Sequence, residues 1–169
     1  MRQTLRVRVS GLLDVPLEDL AARGVKALLL DLDNTLCDPR GDLLPAEALS
    51  FCARMEELGL RGYVLSNGPR GRAERLAAQL GLPCTSRARK PLRGAYRRAL
   101  GELGLTTEAV AAVGDQFLTD ALGAIGMGMA LVLVEPRFAR DKPLVKLARP
   151  VDRVLRRLIP QVPQPRKSG

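Results

Sequence analysis

Ala27-Leu28-Leu29-Leu30-Asp31-Leu32-Asp33-Asn34-Thr35 is the stretch whose reading decides the fold. An unbroken apolar run, taken with Lys26 as a strand over 26–30, suits a sheet buried on both faces. A strand with one wet face would alternate instead. The run ends in two carboxylates two residues apart, where a strand gives way to a loop. Like charges held that close raise each other's pKa and oppose folding unless a cation or a substrate compensates. Chains keep such pairs mainly for metal binding or acid–base work.

Outward from this point the chain alternates. Helices are predicted over 16–22, 45–58, 70–80, 91–103 and 118–127, the first three followed at once or nearly so by Gly24, Gly59 and Gly81. Strands are predicted over 26–30 and 61–65, briefly near Cys84, then over 109–113 and 130–134. Alternation of this kind means parallel strands with right-handed crossovers, a doubly wound, Rossmann-like α/β sheet in one domain over 1–160. Residues 161–169, rich in Pro and basic residues, are expected to form a flexible tail. Ligands of such sheets bind beyond the carboxyl ends of the strands. Asp31 and Asp33, Ser66 and Asn67, and Asp115 all fall at those ends, so separated polar residues gather at one rim.

Composition narrows the chemistry. The 169 residues carry a formal charge of +9, mostly from Arg, and contain no His and no Trp. Without His, Ser-His-Asp and Cys-His catalysis and all His-ligated metal sites are excluded. The three cysteines, Cys37, Cys52 and Cys84, lie far apart with no CxxC, which reads as free thiols in a reducing compartment. No run approaches a membrane span or a signal peptide, so a cytoplasmic protein, at most peripheral to a membrane, is expected. The positive charge fits an anionic partner or a solvated basic surface.

Asp31, Asp33 and Asp115 would converge on a small site, and a hard divalent cation such as Mg2+ is the natural compensation. Ser66 offers a hydroxyl, Asn67 an amide and Lys90 a positive charge. Donors, a cation and a metal together suit a phosphoryl group, and a carboxylate can act as the nucleophile in its transfer.

Four short motifs stand in order: DLDNT from Asp31, LSNG from Leu65, Lys90-Pro91, and GDQFLTD from Gly114. In this order, each after its expected element, they resemble the haloacid dehalogenase (HAD) superfamily over roughly residues 24–134. The GDQ-x-x-TD variant, the Arg87-to-Pro91 context and the short chain look most like the YqeG-type phosphatases of HAD subfamily IIIA, which are related to phosphatidylglycerophosphate phosphatases. The resemblance implies roles. Asp31 is the expected nucleophile and a metal ligand. Asp33 is the expected acid and base, its carbonyl a further ligand. Ser66 and Asn67 are expected to hold phosphoryl oxygens. Lys90 is expected to neutralise charge there, and Asp115 to complete the metal site. Thr35 and Asp120 are expected supports. A second Asp at the position of Asp33 separates phosphatases from dehalogenases in that superfamily, and so favours phosphate esters.

The implied activity is Mg2+-dependent hydrolysis of a phosphomonoester through an aspartyl phosphate, with phosphatidylglycerophosphate as the most specific substrate reading. A nucleic-acid-end phosphatase is the enzymatic alternative. A noncatalytic adaptor binding RNA, ribosomes or protein is the alternative of another class. A receiver-like domain is set aside, because its phosphoacceptor Asp would follow the third strand, which here ends near Thr85 and Ser86. The spacings between the motifs leave no room for a cap domain, so the site is expected to be open to large substrates. Near the end, Val151, Val154, Leu155 and Leu158 recur at helical spacing among Arg153, Arg156 and Arg157. The favoured expectation is a helix with its apolar stripe on the domain and its arginines in water. Contact with an anionic membrane is the other. Residues 141–148 are expected to form a separate helical turn, broken from it by Pro150.

Overall fold

The computed structural model describes residues 4–136 and 143–162. Six strands and six α-helices follow one another as β1 (Arg6–Val9), α1 (Leu17–Ala22), β2 (Ala27–Leu30), α2 (Ala46–Glu57), β3 (Arg61–Leu65), α3 (Arg70–Gln79), β4 (Cys84–Thr85), α4 (Arg93–Leu103), β5 (Val110–Gly114), α5 (Leu122–Met127), β6 (Ala130–Val134) and α6 (Pro143–Arg156). All strand pairs are parallel, in the order β1-β6-β5-β2-β3-β4. This is the doubly wound sheet that the apolar run over 27–30 implies.

Strand periodicity divides the core. Leu28 and Leu30 of β2 point into a cluster with Leu20 of α1, Phe51 and Met55 of α2, and Leu76 of α3. Ala27 and Leu29 point to the opposite face, with Tyr96 and Ala99 of α4 and Ala124 of α5. All four residues of β2 are buried, which is why this central strand shows no alternation. Helices therefore cover both faces, and among the described residues no cap domain interrupts the sheet.

Two elements depart from the sequence reading. β1 is an unexpected strand that pairs with β6, so every later strand moves up by one in order. Its Arg-Val-Arg-Val does alternate, but two charges in four residues hide the strand, and at the edge it is only partly buried. The second departure is the C-terminal helix. It runs unbroken from 143 to 156 with Pro150 inside. Pro150 lies at an exposed position, where water can solvate the carbonyl that its missing N–H leaves unpaired. Of the expected turn over 141–148, residues 141 and 142 lie outside the described residues. Beyond α6 the chain returns to β1, where Gln161 bridges Arg8 in parallel. Residues 163–169, most of the expected tail, also lie outside the described residues.

Candidate active site

Register places the site. Leu30 of β2 lies opposite Val64 of β3 on one side and Val113 of β5 on the other, so the three strands end level. Asp31 is the first residue past β2, and its N–H still donates to the Val113 carbonyl at 2.9 Å. The chain then turns tightly. The N–H groups of Leu36 and Cys37 donate to the Leu32 carbonyl, and Asn34 takes φ 65°, a left-handed conformation that Asn tolerates better than most residues.

Three carboxylates meet here. One oxygen each from Asp31, Asp115 and Asp120 lies within 4.8 Å of the others, and all three residues are buried. Lys90 enters from the loop before α4. Its ammonium donates to Asp31 Oδ1 at 2.5 Å and to Asp120 Oδ1 at 2.7 Å. Thr35 donates to Asp31 Oδ2 at 3.3 Å. Asp120 sits on a π-helical turn, Phe117–Ala121, and its Oδ2 accepts from the Gln116 N–H at 3.1 Å. Gly114 allows this close approach, because a Cβ there would run into the Asp120 carboxyl.

Burial dominates the electrostatics. It pushes the Asp31 carboxyl up to about 7, against the pull of the Lys90 charge and with the push of Asp120. Burial, with the negative charges of Asp31 and Asp120, also raises Asp115 well above the ordinary carboxylate range, although Arg149 lowers it. Burial acts against the Lys90 ammonium too, but the charges of Asp120 and Asp31 outweigh it and the pKa rises. Cys37 is buried nearby, and burial pushes its thiol up to about 11, so it stays a neutral bystander at physiological pH.

The expected phosphate holders are tied to one another. Ser66 Oγ accepts from the Gly68 N–H at 3.0 Å. The Asn67 side chain clamps the Lys90 backbone, accepting from its N–H at 2.7 Å and donating to its carbonyl at 3.2 Å. Asn67 thus fixes the base of the lysine whose tip holds Asp31. The Asp33 carboxylate stands outside the acidic cluster and pairs with Arg72 Nη1 at 2.6 Å.

Three arginines at the site were not expected there from the sequence, which placed Arg156 in water. Arg72, on α3, reaches Asp33, the Asp38 carbonyl at 2.6 Å and the Gly41 carbonyl at 2.9 Å, and so staples the open loop to the helix. Arg149, on α6, pairs with Asp115 Oδ2 at 2.9 Å. Arg156, also on α6, donates to the carbonyls of Asp115 and Val134. Asp152 between them accepts from the Leu118 N–H at 3.0 Å. From residue 148 on, the inner face of α6 is therefore polar and closes on the site, while Val151 and Val154 are 56% and 63% exposed and Leu158, just beyond the helix, is 70% exposed. This reverses the favoured expectation for that helix. The loops beyond β5 and β6 present carbonyls and a carboxylate, which a cationic face satisfies and an apolar stripe would leave unpaired.

A divalent cation fits these residues. Three buried carboxylates crowd one point, and burial raises Asp31 and Asp115 despite Lys90 and Arg149, so further positive charge there would let them ionise. Asp115 Oδ1 is buried without a hydrogen-bond partner, while its other oxygen is held by Arg149. A buried carboxylate oxygen without a partner is costly, and a metal ligand is the obvious role for it.

Known proteins agree with this geometry. The family model described as HAD-hydrolase-like matches residues 87–159. A Bacillus subtilis protein named "Probable phosphatase YqeG" is 32% identical over 86% of this chain and 84% of its own length. The chloroplastic phosphatidylglycerophosphate phosphatase 1 of Chlamydomonas reinhardtii is 31% identical over 79% of this chain, which spans about half (53%) of that protein. Among solved structures, the cobalt-bound deoxy-D-mannose-octulosonate 8-phosphate phosphatase of Haemophilus influenzae overlays with a TM-score of 0.57. It covers 83% of this chain and 78% of its own at 17% identity, a likeness of fold. With the sheet, the acidic cluster and the extent of the match to the Bacillus protein together, the chain belongs to the HAD-like hydrolases, in the family of the YqeG-type phosphatases.

Proposed function

We propose that the protein is a Mg2+-dependent phosphomonoester hydrolase that works through an aspartyl phosphate on Asp31. The observation that carries this reading is the Lys90 ammonium bridging Asp31 and Asp120, with Asp115 in the same cluster. Asp31, Asp115 and the Asp33 carbonyl would hold the metal, and an all-oxygen donor set without His or Cys favours Mg2+. When bound, the metal supplies charge neutralisation of the phosphoryl oxygens. A carboxylate oxygen of Asp31 attacks phosphorus as the ester P–O bond breaks, and Asp33, turned from Arg72, gives its proton to the leaving oxygen. Asp33 then takes a proton from water. The water oxygen attacks the phosphoryl group, and phosphate and free Asp31 are released. Lys90 holds Asp31 in place and offsets charge, Ser66 and the turn after it hold phosphoryl oxygens, and Asn67 keeps Lys90 aimed.

Hydrolysis of p-nitrophenyl phosphate with Mg2+ tests this. The parent should turn over, and Asp31→Asn should lose at least about a thousandfold, since no other group takes the nucleophile's place. Near-normal activity in Asp31→Asn would refute the covalent mechanism.

For the natural substrate we propose a phospholipid phosphomonoester of the phosphatidylglycerophosphate kind, met at an anionic membrane. The name of the Chlamydomonas relative, the uncapped rim and the exposed apolar face of α6 support it together.

A further inference from the structure

Beside the catalytic rim lies a basic cleft that no step above uses. The segment before Lys90 is tied to the loop after β3. The Arg87 N–H donates to the Gly68 carbonyl at 3.1 Å, and the Ala88 N–H to the Ser66 carbonyl at 2.9 Å. Along it Ala88 and Lys90 are buried, while Arg87 and Arg89 are exposed. Both arginines take left-handed backbone, φ 49° and 55°, where glycine would sit without strain. Non-glycine residues in this region are uncommon, and backbone of this kind clusters at functional sites.

The two arginines line a cleft of about 360 Å3 with Thr85, Ser86 and Arg98 of α4, together with the apolar Leu92 and Ala95. An adjoining cleft of about 380 Å3 shares Ser86, Arg87 and Arg98 and adds Arg70, itself paired with Glu74. Among the described residues, Arg87, Arg89 and Arg98 make no ion pair; Arg40, Arg93 and Arg97 make none either, and what sets the three apart is that they line one cleft. Three unpaired guanidiniums and a hydroxyl around one cleft match the oxygens of a phosphate, to which arginine binds in a fork. Arg89 precedes Lys90, so their Cα atoms are about 3.8 Å apart. Ala88 lines the cleft and its N–H donates to the Ser66 carbonyl, so the cleft adjoins the loop proposed to hold the phosphoryl group.

We infer that this cleft, formed by Arg87, Arg89 and Arg98, is a subsite for a second phosphate, a phosphodiester carried on the leaving group of the hydrolysed phosphomonoester. The inference rests on the phosphatase reading and narrows it. It assigns preference to the diester itself, independent of acyl chains or a membrane.

The test compares two soluble substrates, p-nitrophenyl phosphate and the deacylated headgroup glycerophosphoglycerophosphate, in the parent and in R87Q, R89Q, R98Q and their triple combination. Gln keeps an L side chain at the two left-handed positions and a good helix former at 98. The triple variant should lose about tenfold or more in kcat/KM for the headgroup, as expected for lost charge-assisted hydrogen bonds, while p-nitrophenyl phosphate stays within about twofold. Arg→Lys at all three positions should restore part of the loss. A parallel fall on both substrates, or no fall on either, overturns the subsite and leaves the phosphatase reading intact. Calorimetric titration of glycerophosphoglycerophosphate and of inorganic phosphate into Asp31→Asn protein, with and without the triple substitution, gives the second arm. Headgroup affinity should drop about tenfold and phosphate affinity should not. Equal loss for both ligands would mark a general anion surface and overturn the inference. If the parent hydrolyses neither ester, the phosphatase reading fails, and this binding arm alone decides the cleft.

Discussion

Asp33 and Asp31 have the same chemistry and face different partners. Asp33 is paired with Arg72 at the edge of the site, and Asp31 is buried against Lys90. Asp33→Asn should lower turnover by about two to four powers of ten, the usual worth of general acid–base help. Mg2+ affinity measured by calorimetry should stay close to the parent's, because in the proposed mechanism Asp33 meets the metal through its carbonyl alone. The elevated Asp31 pKa gives a second expectation. In metal-free protein, burial pushes the folded Asp31 carboxyl up to about 7, whereas the unfolded chain releases its proton near 3.8. Between those values the folded state binds more protons, so stability falls as pH rises through that window. Asp115 is shifted the same way and adds to the fall, while Lys90, with its pKa raised, stays charged throughout. Urea midpoints in chelator should therefore drop from pH 4 towards 7, and Asp31→Asn should flatten the drop. At this scale the motifs were legible. Asp31, Asp33, Ser66, Asn67, Lys90, Asp115 and Asp120 all stand at the carboxyl rim of the sheet. Arg72, Arg149 and Arg156 were not legible, because each reaches its partner across 34 to 41 residues from a helix that carries other, exposed arginines.

Among the elements, α6 differs most from its sequence. Its spacing reads as an ordinary amphipathic helix with the apolar side inward. Over the part of the helix whose side chains are described, the side turned inward carries Arg149, Asp152 and Arg156, with Leu155 packed partly against the core. Periodicity shows that a helix has two faces but not which one the neighbouring loops need, and here those loops offer carbonyls and Asp115. Arg156→Met should cost about 3 kcal/mol in urea unfolding, since it leaves the buried carbonyls of Asp115 and Val134 without a donor. A cost within 0.5 kcal/mol, the scatter of neutral surface changes, would show that α6 does not hold the rim. β1 was missed for a related reason. An edge strand is only half buried, so charges are tolerated on it and the apolar signal fades.

For the whole molecule, the outer face of α6 and the turn after it set Val151, Val154 and Leu158 beside the exposed Arg153 and Arg157. That combination suits an anionic lipid surface. The protein should float with phosphatidylglycerol vesicles at low salt, release as salt rises, and bind zwitterionic vesicles weakly. Val154→Asp with Leu158→Asp should abolish flotation and leave hydrolysis of p-nitrophenyl phosphate unchanged. Absence of binding at low salt would remove the membrane from the functional reading. No helix among the described residues is long and apolar enough to cross a membrane.

The return of the chain to β1 has a consequence for how these molecules tolerate crowding. An open sheet has two borders, and an unpaired border invites a strand from another molecule, the first step towards aggregation. At one border β4 is only two residues long. At the other, the Arg8 N–H donates to the Pro160 carbonyl and the Arg8 carbonyl accepts from the Val162 N–H, at 2.8 and 2.9 Å. Residues 160–162 thus work as a hem on the sheet. A chain trimmed before residue 160 would keep every catalytic group, yet expose a border ready to stick to its own copies.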